Sequence, residues 1–125
     1  LYITTHLLRG HMNFKVYRKI VTLLRDKCPP AYPVKVRRNK MSGLDGECYL
    51  FKKKFYIRIN SELSENSAID ALLHEWAHAR AWNHLHDAID EQEFAQRSHD
   101  ASWGVAYSEV YRTYETYYLM CKDHR

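Results

Sequence analysis

The chain has 125 residues, 46% of them apolar and 27% charged, with a net charge of +4. That length supports one domain with a real core and leaves no room for a second. The apolar-to-charged balance is that of a globular rather than a disordered chain. No apolar run approaches the ~20 residues of a membrane span, so no membrane partner is expected. The mild positive charge permits contact with nucleic acid without demanding it.

The N-terminal stretch opens on Leu1 rather than a methionine. Residues 1–12 read as a disordered or trimmed end, with Met12 as an alternative start, and residues 13–125 as the domain. From Asn13 to Lys27, Phe14, Tyr17, Ile20, Val21 and Leu24 recur at helical spacing, and Cys28 continues the series. Pro29 and Pro30 end this helix. Val34–Arg38 alternates as a strand does, Ser42–Gly46 is a turn cluster, and Cys48–Phe51 and Phe55–Ile59 form a hairpin with Lys52-Lys53-Lys54 at its tip. A helix over Ile69–Ala81 follows, with Ser64 or Asn66 as N-cap and Asn83 closing it. After a polar stretch with a short helix near Glu91–Gln96, a last helix runs from about Ala101 to Cys121. Trp103, Tyr107, Val110, Tyr111, Tyr114, Tyr118 and Cys121 form its stripe, read as core. The expected architecture is α+β: an N-terminal helix, a three-stranded antiparallel sheet, a motif helix and a C-terminal packing helix.

The cysteines, Cys28, Cys48 and Cys121, are odd in number and contain no CxxC pair. Neither a zinc ribbon nor a disulfide framework is indicated, and a reducing, cytoplasmic compartment is the expectation.

The chemistry is concentrated in His74-Glu75-Trp76-Ala77-His78, an HExxH motif inside the apolar stripe of Ile69, Leu72, Leu73, Trp76 and Ala77. Residues four apart lie one above the other on a helix, so His74 and His78 can share one zinc ion. Glu75, next to the first histidine, can take a proton from a zinc-activated water without itself becoming a ligand.

A catalytic zinc requires a third protein ligand. His84 occupies the metzincin position, but Ala81 replaces the turn glycine that pattern requires. His86 is a weaker version of the same arrangement, and Asp90, Glu91 and Glu93 would suit a glutamate-type site. His99 opens the last helix, where Trp103 one turn on holds the chain in packed structure, and it is the favoured candidate.

The run Leu72-Leu73-His74-Glu75-Trp76-Ala77-His78-Ala79, followed by His99-Asp100-x-x-Trp103, resembles the SprT-like zinc metallopeptidases, in particular their small phage and bacterial members. The likeness covers about residues 34–120. It implies a zincin-like domain holding one zinc per chain through His74, His78 and His99, with Glu75 as catalytic base. Asp100 stands where the family has glycine, and the family's zinc-ribbon tail has no counterpart here.

The function expected is that of a zinc metalloendopeptidase cutting a protein or peptide substrate, with Phe55–Ile59 as a candidate edge for an extended substrate. Tyr107 or Tyr111 is a candidate oxyanion stabiliser. Two alternatives stand beside it. One is a nucleic-acid-binding module with structural zinc, contacting phosphates through Lys35, Arg37, Arg38, Lys40, Lys52, Lys53, Lys54 and Arg58. The other is a zincin-like domain that senses or inhibits without cutting.

Overall fold

The computed structural model describes residues 14–82 and 100–119. Helix α1, Lys15–Lys27, buries Tyr17, Ile20, Val21 and Leu24, the positions its periodicity marks. No side chain caps its N-terminus locally. Instead Glu65, from the first turn of a later helix, accepts the Tyr17 N–H at 3.0 Å. A long-range carboxylate thus satisfies one of the donors that a helix start leaves open.

Three strands follow: β1 at Val34–Asn39, β2 at Gly46–Phe51 and β3 at Lys54–Asn60. Their order in the sheet is β1-β3-β2, with β1 parallel to β3 and β2 antiparallel to it. The sheet is therefore mixed, not antiparallel as the local pattern suggests, and Phe55–Ile59 lies at its centre rather than at an edge. Burial explains the placement. Phe55, Ile57 and Ile59 are the most deeply buried residues of the sheet, so their strand gains most from a neighbour on both sides.

Asn60 secures the crossing that puts β2 on the far side. Its Nδ2 donates to the Met41 and Leu44 carbonyls, both at 2.9 Å, and its backbone N–H donates to the Asp45 carbonyl at 2.8 Å. The loop over residues 40–45 is thereby pinned across the end of β3. Gly46, read from sequence as the last turn residue, is the first residue of β2.

Helix α2, Glu65–Arg80, carries the HExxH motif and starts earlier than its apolar stripe. Ser64 is its N-cap, accepting the Ser67 N–H at 3.2 Å. It packs on β2, β3, α1 and the last helix. Ala81 ends it, and Asn83 lies outside the described residues, as does the short helix expected near Glu91–Gln96. Helix α3, Ala101–Tyr114, is capped by Asp100, whose Oδ1 accepts the Trp103 N–H at 3.1 Å. It passes into a π-helical turn over Glu115–Leu119, and Cys121, where the sequence places the helix end, lies outside the described residues.

The aromatic stripe of α3 is not all core. Val110 is fully buried, whereas Trp103, Tyr107, Tyr114 and Tyr118 lie partly buried against the core and Tyr111 is exposed. No helix among the described residues is long and apolar enough to cross a membrane.

Candidate metal centre

The motif helix divides its residues between two tasks. Trp76 and Ala77 are fully buried, and the Trp76 indole donates to the Cys28 carbonyl at 2.8 Å, tying α2 to the end of α1. His74 and His78 face another way, with Nε2 atoms 3.3 Å apart and ring centroids 4.9 Å apart. Two nitrogens each about 2.0–2.1 Å from one tetrahedral zinc ion stand about 3.3–3.4 Å apart. The pair therefore already has the spacing of one edge of a zinc coordination tetrahedron.

Trp103 holds that spacing from α3. Its ring lies 4.9 Å from the His74 ring and 5.6 Å from that of His78, and its indole N–H donates to the His74 carbonyl at 3.4 Å. The Asp100 cap in turn fixes the first turn of α3, so a local capping signal positions the ring against both imidazoles.

Glu75 is only 8% exposed and is the buried charged side chain among the described residues. Burial, and then the negative charge of Glu47, raise its pKa from the ordinary 4.5 to about 7. Glu47 is itself held by Arg58, whose Nε stands 2.9 Å from the Glu47 Oε2. A carboxyl with a pKa near 7 is suited to accept and return a proton at neutral pH. Cys48 lies in the same surroundings, and burial, with Glu75 and Glu47, pushes its thiol far upward. It stays protonated, so it makes a poor nucleophile or metal ligand as it stands.

Gly46 is a residue that the sequence reading missed. A Cβ there would meet Ile59 Cδ1 at 3.0 Å, the Arg58 carbonyl oxygen at 3.2 Å and Glu75 Cγ at 3.2 Å. The bare backbone of β2 is what lets Glu75 lie against the strand. A glycine at a strand start does signal close approach, but not of what. Gly46→Ala should cost about 1–3 kcal/mol by overpacking against a backbone carbonyl that cannot yield. Urea unfolding checks this, and an unchanged midpoint would show that the strand gives way freely.

Among the described residues, no group of three or more histidines, cysteines or acids is placed to hold a metal. The structure brings together His74, His78 and Glu75. The third-ligand candidates His84, His86, Asp90, Glu91, Glu93 and His99 all lie outside the described residues. Tyr107 stacks on Trp103, with centroids 5.0 Å apart and planes at 12°, and burial followed by Asp70 raises its pKa.

Compared with family models, curated proteins and solved structures, the chain yields no match. The case for a function therefore rests on the geometry of the site and the motif.

Proposed function

We propose that the chain is a zinc-dependent metallopeptidase of SprT-like, zincin type, hydrolysing peptide bonds in a protein substrate. The observation that carries this reading is the 3.3 Å spacing of the His74 and His78 Nε2 atoms beside a buried Glu75. His74 and His78 would supply two ligands. The third is assigned to His99, adjacent in sequence to Asp100, whose cap fixes the turn that carries Trp103. The chemistry zinc supplies when bound is that of a Lewis acid, polarising the scissile carbonyl and lowering the pKa of water to about 7.

The chain's own residues do the rest. Glu75 takes the proton of the attacking water and hands it to the leaving amine, the work of a positioned general acid–base group. Strand β2, not β3, is the edge next to Glu75, and no described strand pairs with its outer side. An extended peptide adding to that edge would be held by main-chain hydrogen bonds and led past the catalytic carboxylate. Trp103 keeps the two imidazoles in place.

A purely structural zinc, in a nucleic-acid-binding or regulatory module, has no use for a buried carboxyl between its ligands. Such a site is as stable without it, because a buried acid is a cost unless function requires it. Glu75 therefore favours the enzyme over the module.

Zinc content per chain tests the proposal. Wild-type protein should carry one zinc, lost in His74→Ala, His78→Ala and His99→Ala and retained in His84→Ala. Loss in His84→Ala with retention in His99→Ala would move the third ligand to the metzincin position. A folded wild type that takes up no zinc would overturn the reading.

A further inference from the structure

Strand alternation sends one set of sheet residues away from the helices. Register places them in three rows. Lys35, Tyr56 and Tyr49 form one, Arg37, Arg58 and Glu47 the next, and Lys54 and Phe51 the third. Lys52 and Lys53 make the hairpin tip beside Phe51. Tyr49 and Tyr56 stack, with centroids 5.2 Å apart and planes at 15°. Lys54 Nζ lies 5.8 Å from the Tyr56 ring and Lys52 Nζ 5.3 Å from that of Phe51. Tyr49 and Phe51 are 42% and 55% exposed, so among the described residues nothing covers this face.

Glu47 is the acidic member of these rows, and it is engaged with Arg58. Arg37, Lys35, Lys54 and the two tip lysines are left to set the sign of the surface. An exposed sheet face with flat aromatic rings two residues apart, bordered by cations, is complementary to one ligand chemistry in particular. Unpaired bases offer π-faces for the rings, and the phosphates between them offer negative charge for the lysines and arginine. A duplex hides its bases and would use only the charge. An anionic membrane would likewise meet the lysines but gives the stacked tyrosine pair no partner.

The tip adds a second observation. Lys52 and Lys53 have φ of 49° and 60°, the left-handed region that a two-residue hairpin turn requires and that asparagine and glycine fill most easily. Lysine at both positions carries backbone strain that the fold itself does not need, a pattern associated with functional surfaces.

We infer that the outer face of the sheet, built on Tyr49, Phe51 and Tyr56 and flanked by Lys35, Arg37 and Lys52–Lys54, is a binding platform for single-stranded nucleic acid. It is separate from the zinc chemistry, being on the side of the sheet away from Glu75, and it holds whether or not the chain is a peptidase.

The test is fluorescence anisotropy with a labelled oligothymidylate of about 16 nucleotides. A duplex of the same length and phosphatidylserine-containing vesicles serve as competitors. The single strand should bind saturably and more tightly than the duplex, weakening as salt rises. Tyr49→Ala with Phe51→Ala should weaken binding roughly tenfold or more, the loss expected when two stacking positions go. Replacing Lys52-Lys53 by Asn-Gly should weaken binding and flatten the salt dependence while raising the melting temperature, which separates lost contacts from lost folding. Glu75→Gln should bind as wild type does. The proposal is overturned if the oligonucleotide does not bind, if the duplex binds as well and the aromatic substitutions have no effect, or if only the vesicles bind.

Discussion

Glu75→Gln should leave zinc bound and reduce peptide hydrolysis by about 10²–10⁴-fold, the range that a positioned acid–base group contributes. The substitution keeps the shape of the side chain and removes its ability to hold a proton. It also has an expected effect on stability that a surface carboxylate would not show. Folding raises the Glu75 pKa from 4.5 to about 7, so the folded, metal-free protein binds a proton that the unfolded chain has released. The favourable contribution is complete below about pH 4.5 and is lost as pH rises through about 7. At 1.36 kcal/mol for each unit, the span is on the order of 3 kcal/mol. After chelation, wild-type protein should therefore lose stability between pH 4.5 and 7 relative to Glu75→Gln, and the variant should be the more stable of the two at pH 8. Urea unfolding of the pair across that range measures the difference, in which titrations shared by both proteins cancel. Parallel curves would show that the carboxyl is not desolvated. Full hydrolytic activity in the variant would remove Glu75 from the mechanism.

Trp76→Ala should unfold the protein or nearly so, although the residue lies inside the motif and touches no metal. The ring is fully buried, and truncating a buried tryptophan costs about 3–5 kcal/mol. The Cys28 carbonyl, which accepts the indole N–H at 2.8 Å, is also left without that partner, at a further cost of about 1–3 kcal/mol. Together these approach the whole stability of a domain this size. Trp76→Phe keeps most of the apolar contact and loses the hydrogen bond, so it should fold with a lower urea midpoint. If Trp76→Ala unfolded at the wild-type urea concentration, the junction between α1 and α2 would not be a main support of the core.

The two substitutions separate roles that the five-residue motif compresses. Its helical period turns His74 and His78 to one face and Trp76 to another, so catalysis and core packing are served by neighbouring residues. This much is local. The same holds for α1, for the β2–β3 hairpin with its lysine tip, for Ser64 as a cap and for the pairing of the histidines. Each depends on residues within a few positions of one another, where backbone geometry fixes the outcome.

The strand order is different in kind. Lys54–Asn60 alternates strictly in burial while Val34–Asn39 and Gly46–Phe51 do so only in part, and a period of two identifies a strand without naming its neighbours. The parallel β1–β3 pairing follows from which strand buries most and from Asn60 holding the loop over residues 40–45. That choice moved the edge from β3 to β2, and with it the place where an extended substrate would lie.

What the sequence determined by itself was the helical spacing of His74 and His78, the position of Glu75 beside them and the elements that carry all three. The tertiary structure alone decided that Trp103 closes on both imidazoles, that Gly46 makes room for Glu75, and that burial and Glu47 bring its pKa near neutrality. The physical reason is range. Helical spacing acts over a turn of chain, whereas desolvation, overpacking and charge coupling depend on residues about thirty positions away, and only folding brings those within reach.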